Sequence, residues 1–325
     1  MNANELHRAS IVFDGHCDTL LEMVDGKRRL GERSETGQLD LPRLAEGGVT
    51  AQVFAVFIED KYLPAGAVKQ AVRVVDALYQ ELTDNSDVMS LATSADDVVA
   101  AKATGKVAGI LAIEGAEALE GDLGVLRAFY RLGLRLVTVT WSRRNQAADG
   151  VGERCTGGGL TTFGKSLAQE CNRLGILLDI SHLAPAGVRD VLGLSQQPVV
   201  ASHSNAYALC PHPRNLTDEQ MRQVAASGGV VCVTFVPAFL VPEGKGVALK
   251  HVLDHLDHIA NVAGIDHVGI GSDFDGIFAP LPVGLEDASQ VPNITAGLLE
   301  RGYADTDVRK VLGENLLRVF RQVAG

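Results

Sequence analysis

Three imidazoles and three carboxylates each lie at, or just past, the end of a short apolar run. Ile11-Val12-Phe13 leads into Asp14-Gly15-His16-Cys17-Asp18, and Val107 to Ile113 leads to Glu114. Gly175 to Ile180 leads to Ser181-His182, Val199 to Ser202 to His203, and Val268 to Ser272 to Asp273. Each has an ordinary explanation alone, since such a carboxylate caps the next helix and a buried histidine is commonly hydrogen-bonded core. As a set they suggest a metal centre. His16 and Asp18 are two apart on an extended segment and project to the same side. Imidazole with carboxylate suits zinc, with iron, cobalt or manganese as substitutes. Six ligands are too many for one tetrahedral ion but match two ions sharing a carboxylate, a pair that polarises a carbonyl and activates water. Glu114 is the expected bridge, because it is the only Glu of the set and its two oxygens can serve two ions.

The elements that must bring these residues together are strands at 10–14, 50–58, 107–113, 134–140, 175–180, 198–202, 229–235 and 267–272. Each is short and rich in Val, Ile and Leu, as expected for strands covered on both faces. Helical patterns fill the intervals. Ala65 to Leu82 has apolar residues at helical spacing, Ser94 reads as an N-cap, and Thr217 with Gln220 reads as a capping box. Further helices are expected at 247–263 and 305–323. Alternating strands and helices predict an α/β protein with a parallel sheet. Eight such units without a Pro/Ser-rich linker favour one (β/α)8 barrel of the TIM type, residues 1–325 as a single domain, over a doubly wound open sheet. In a barrel the carboxyl ends of the strands carry the chemistry. The longer loops at 19–40, 141–160 and 274–292 would follow strands one, four and eight on that same face.

Composition sets outer bounds. With 46% hydrophobic and 21% charged residues the chain can bury a large core, and its net charge of −11 argues against nucleic acid and against an anionic membrane surface. The five cysteines are odd in number, widely spread and without a CxxC, which points to a reducing compartment. No apolar leader segment, lipid-anchor tail or run of 18 apolar residues is visible, so the expected location is the cytoplasm, with no membrane partner.

Two other patterns compete for attention. Gly159-Leu160-Thr161-Thr162-Phe163-Gly164-Lys165-Ser166 matches the P-loop letter for letter. A phosphate cradle needs a buried strand ahead of it, and Asp149 to Gly158 reads as polar loop, so the match is taken as chance. His251, His255 and His258 share a helix face but alternate with Asp254 and Asp257, and read as a solvated face. Cys17 lies between two proposed ligands but points the other way by strand alternation.

The motifs resemble the membrane (renal) dipeptidase family along nearly the whole chain. They are Asp14-Gly15-His16-x-Asp18, Glu114-Gly115, Asp179-Ile180-Ser181-His182, Ala201-Ser202-His203-Ser204, Pro213-Arg214-Asn215 and Gly271-Ser272-Asp273-Phe274-Asp275-Gly276. The resemblance implies an amidohydrolase-like barrel with two Zn2+ per chain, His16 and Asp18 on one, His182 and His203 on the other, Glu114 bridging. It implies Asp273 near the first zinc as the proton shuttle, and Arg214 as the holder of the substrate's C-terminal carboxylate, with the adjoining Asn215 a further substrate contact; Trp141 is a third candidate contact, on grounds of its position. The implied reaction is hydrolysis of small dipeptides, often with a D-residue at the C-terminus, and members often form homodimers.

The chain departs from the family at the fourth strand, which usually ends Leu-Thr-His. Here Thr138-Val139-Thr140-Trp141-Ser142-Arg143-Arg144-Asn145 places the only Trp where the substrate-polarising His is expected. The indole N–H can donate instead, or Arg143, Arg144 or Asn145 can serve. The rival readings are an amidohydrolase acting on N-acyl amino acids or another small amide or lactone, and a non-catalytic metal-binding barrel. The first commonly has a His-x-His and a carboxylated Lys that this chain lacks. The second would predict a missing ligand, and all six are present.

Overall fold

The computed structural model describes residues 1–24 and 26–325. Its centre is a ring of eight parallel strands: β1 (Phe13–Cys17), β2 (Ala51–Phe57), β4 (Val107–Glu114), β5 (Leu134–Thr138), β6 (Leu177–Asp179), β7 (Val199–Ala201), β8 (Val230–Val233) and β9 (Val268–Ile270). Neighbours run β2-β1-β9-β8-β7-β6-β5-β4, and a β2–β4 pairing closes the ring. This is the (β/α)8 barrel expected from the alternation of apolar runs. A ninth strand, β3 (Met89–Leu91), escaped the sequence reading because three residues give no periodicity. It pairs with the first residues of β4, before β5 joins that strand at Leu111.

The first strand lies three residues later than expected and takes in Asp14 and His16. Ile11 is only partly buried, whereas the polar residues face the closed interior of the barrel. The helix from Ala67 to Asp84 and the capping boxes at Ser94 and Thr217 form as read. The last helix is not continuous. It breaks into Asp305–Arg309 and Asn315–Ala324 around Gly313, which packs so tightly on Ile11 and Phe13 that a Cβ there would strike both. The final stretch plugs the amino end of the barrel, with Leu316, Val319 and Phe320 packed against Phe13, Val53, Leu136 and Val200. The opposite end remains for chemistry. No helix among the described residues is long and apolar enough to cross a membrane.

The P-loop look-alike has no strand ahead of it. The segment before it is a 3-10 turn, Val151–Thr156, and the Leu160 N–H is already donated to Asp190 at 2.8 Å. The histidine face at 251–258 needs correction. His255 is buried: its Nδ1 accepts the Ala206 N–H at 3.0 Å and its Nε2 donates to Leu240 O at 2.9 Å. His258 contacts Asp218 at 2.8 Å, so the three do not converge on a common point.

Candidate metal centre

β1 delivers His16 and Asp18. Just before them, buried Asp14 accepts the His16 N–H at 3.2 Å and the Ser272 N–H at 2.8 Å, tying β1 to the segment after β9. Asp273 follows there in a left-handed conformation, φ 67°, and its N–H donates to His16 O at 3.2 Å. A side chain on Gly276 would collide with the carboxylates of Asp18 and Asp273, so glycine there leaves room for both. Glu114 is the last residue of β4, in register with Phe57 on β2 and Thr138 on β5.

His182 also adopts a left-handed backbone, φ 67°, fixed where its carbonyl accepts the Val151 N–H at 2.7 Å. Such strain in a non-glycine residue persists only where the surroundings impose it, and it concentrates at functional sites. His182 Nδ1 lies 2.8 Å from Ser142 Oγ. His203 Nδ1 lies 2.7 Å from Ser202 Oγ, whose hydroxyl donates to Asp179 at 2.6 Å. Its single proton being used there, Ser202 can only accept from His203, which leaves the Nε2 lone pair free for a ligand.

The two oxygens of Glu114 face different partners. Oε2 is 3.7 Å from His16 Nε2, while Oε1 is 3.0 Å from His182 Nε2 and 3.5 Å from His203 Nε2. His16 Nε2 lies 3.5 Å from Asp18 Oδ2 and 4.0 Å from Asp273 Oδ1. Ligands around one tetrahedral ion with bonds near 2.0–2.1 Å stand about 3.3 Å apart, close to these separations. All six residues the sequence singled out therefore come together, with His16, Glu114 and His203 the most deeply buried and Asp273, Asp18 and His182 nearer the solvent edge.

Electrostatics agree with a cation in this cluster. Both ring nitrogens of buried His16 lack a hydrogen-bond partner among the described residues. Burial alone would depress its pKa, but Glu114, Asp18 and Asp273 outweigh that and raise it to about 10. Burial, reinforced by the Asp18 charge, pushes Glu114 well above the usual carboxylate range. Burial also lifts Asp273 to about 7, with Asp18 adding to the effect and His16 opposing it. Burial, with Arg214 and His16 nearby, holds His182 and His203 far below the ordinary imidazole value. Neutral imidazoles beside crowded carboxylates are a donor set that a divalent cation fits.

Arg214 lies under the same mouth. It is buried, its Nη2 donates to His203 O at 3.1 Å, and its Nε has no partner among the described residues. Burial lowers its pKa to about 10. Asn215 has its amide NH2 engaged by Cys210 O at 2.9 Å and Phe239 O at 2.8 Å, while its buried Oδ1 has no partner among the described residues and it lines the same cavity as Arg214. Trp141 stands between Phe57, ring centroids 5.4 Å apart, and His182, at 5.7 Å. The residues offered as stand-ins for the family's histidine are all engaged locally. Arg143 binds Glu117, Asp60 and Ile58 O, Arg144 binds Asp149, and Asn145 binds Glu117 and Val139 O. Four residues around the ligands went unassigned in the sequence: Asp14, Ser142, Asp179 and Ser202. Asp14, Asp179 and Ser202 lie within the motifs quoted above, which attach no role to them, and nothing in the sequence pointed to Ser142.

Comparison with known proteins accords with this geometry. The family model described as membrane dipeptidase, peptidase family M19, matches residues 1–325. Dipeptidase tcpJ of Claviceps purpurea is 35% identical over 299 residues, covering 88% of this chain and 69% of the relative. A metallo peptidase from Rhodobacter sphaeroides, liganded with a phosphinate mimic of the dipeptide L-Ala-D-Ala, superposes with a TM-score of 0.90 at 35% identity, over 97% of this chain and 99% of that one. Dipeptidase AC, a metallo peptidase of family M19, gives the same TM-score and coverage at 37% identity. Whole-length match, shared fold and convergent donor set agree, and the chain belongs to the membrane dipeptidase family, peptidase family M19, and is a metal-dependent dipeptidase.

Proposed function

We propose that the chain, acting as one domain, hydrolyses the amide bond of small dipeptides at a centre of two zinc ions. His16 and Asp18 would hold one, His182 and His203 the other, with Glu114 available to both. The observation that carries this reading is the division of Glu114, one oxygen turned to His16 and the other to His182 and His203. Bound there, two divalent ions supply polarisation of the scissile carbonyl and an activated water.

The remaining steps belong to side chains. Asp273, at the open side of the cluster with its carboxylate 4.0 Å from His16 Nε2, is placed to take a proton from the attacking water and return it to the leaving amine. Arg214 offers an unpaired Nε–H to the substrate's terminal carboxylate in a buried setting, where a charge-assisted bond is strong. Trp141 forms one wall beside His182, and its indole N–H stands in for the absent imidazole as donor to the substrate carbonyl. Acceptance of a C-terminal D-residue is part of the reading, supported by the L-Ala-D-Ala mimic bound by the Rhodobacter sphaeroides relative. The five unpaired cysteines support a cytoplasmic setting.

Assay of the zinc-loaded protein on L-L and L-D alanyl dipeptides, with and without a chelator, tests the proposal. Turnover should be abolished by chelation. Asp273→Asn should retain zinc by elemental analysis while the rate falls by about 10²–10⁴. Turnover indifferent to chelation, or an Asp273→Asn rate within a few-fold of wild type, rejects it.

A further inference from the structure

A cavity of about 340 Å³ opens directly beside the metal ligand His182 and has Arg214 in its lining. Its walls are apolar at Leu183, Pro211 and Pro213, and its remaining charge comes from a second cation, Arg154. Among the described residues no Asp or Glu lines it, in a chain with 40 acidic residues against 29 Lys and Arg. Arg154 sits on the exposed 3-10 turn Val151–Thr156, and among the described residues its only hydrogen bond is to Val151 O at 3.2 Å. Among the described residues no carboxylate pairs with it or with Arg214 within 4 Å. Also in the lining, buried Ser204 Oγ is without a hydrogen-bond partner among the described residues. His212 is depressed by burial and then by both guanidiniums, so one positive field covers this corner.

A dipeptide presents one terminal carboxylate, and Arg214 by itself can neutralise it. Arg154 then remains a cation on the wall where the C-terminal residue's side chain must lie. We infer that this pocket selects dipeptides whose C-terminal residue is acidic, aspartyl or glutamyl, with Arg154 as the specificity-determining residue. The inference rests on the reading of Arg214 as the carboxylate anchor. Because Arg154 is exposed, the substrate's second carboxylate keeps part of its hydration. The gain is then that of a solvated ion pair, worth about fivefold in kcat/KM rather than orders of magnitude.

The test compares each acidic substrate with its isosteric amide, Ala-Asp with Ala-Asn and Ala-Glu with Ala-Gln, in both configurations of the second residue. Ala-Ala serves as reference for hydrolysis itself. In wild type the acid should be favoured by about fivefold at low ionic strength and less at high salt, since exposed charges are screened. Arg154→Ala should bring the acid-to-amide ratio to near one, and Arg154→Glu should turn the preference toward Ala-Lys. A ratio near one in wild type, with Ala-Ala still hydrolysed, overturns the acidic pocket and leaves the dipeptidase centre intact. An unchanged ratio in Arg154→Ala overturns the assignment to Arg154. Failure to hydrolyse any dipeptide, Ala-Ala included, overturns the proposed function and this inference together.

Discussion

Asp179 accepts the Ser202 hydroxyl at 2.6 Å, and that one hydrogen bond decides which nitrogen of His203 carries its proton. The carboxylate is wholly buried and also accepts from Thr138 Oγ1 and from the backbone N–H groups of Ser181 and Ser202. It thus fixes the ends of β5, β6 and β7 in one position. Ser202→Ala releases the His203 ring and should weaken zinc affinity by about 10–100-fold. Competition with a chromophoric chelator reads this directly, and a dissociation constant equal to wild type would remove the tautomer argument.

A second buried contact joins the two loops that carry carboxylates to the mouth. Arg28 Nη1 is 3.2 Å from Asp275 Oδ2, with both side chains buried. Asp275 also accepts the Thr19 hydroxyl at 2.7 Å and the Gln38 N–H at 2.6 Å. Thr19 follows Asp18, and Asp275 lies two residues beyond Asp273, so this cluster sets the spacing of those two acids. Arg28→Ala leaves a buried carboxylate unpaired, which should cost about 3–5 kcal/mol. Urea unfolding of the metal-free protein checks it, and a midpoint unchanged from wild type would mean the pair holds nothing together.

The barrel was legible because strands covered on both faces must be apolar along their length, so Val107 to Ile113 or Val230 to Val233 announce themselves. The ligands were legible because strand ends in such a barrel converge, whatever the sequence between them. The residues behind the ligands were not. Ser142, Ser202 and Asp179 matter through contacts between different strands, and each is unexceptional where it stands in the chain. His255 was misjudged from its acidic neighbours, although Val252, Leu256 and Ile259 place it within the buried stripe of its helix. Met89–Leu91 was too short for any period to appear.

Trp141 can be probed without disturbing its packing. Trp141→Phe keeps an aromatic ring between Phe57 and His182 but removes the indole N–H. If that N–H steadies the developing charge on the substrate carbonyl, kcat should fall on the order of 10² with little change in KM or zinc content. Equal kcat in the two proteins would leave Trp141 as a wall only.

The last prediction concerns acid stability away from the metal. His7 and His255 are buried as neutral rings. His7 lies 2.7 Å from both Thr295 Oγ1 and Gly47 O, and His255 is held between the Ala206 N–H and Leu240 O. Burial lowers the pKa of each. The unfolded chain, with ordinary imidazoles near 6.5, therefore binds protons that the folded chain refuses. Their contribution to stability is complete above that pH and declines as the pH falls toward the depressed folded values. The slope reaches about 1.4 kcal/mol per pH unit for each ring. His255→Gln removes one of these groups while every other titrating residue remains, so its unfolding free energy should fall less steeply between pH 7 and pH 5. Urea midpoints of variant and wild type, measured in the same metal state so that the site's own histidines cancel, give the comparison. Parallel pH profiles for the two proteins would show that His255 is not the neutral buried group its contacts describe.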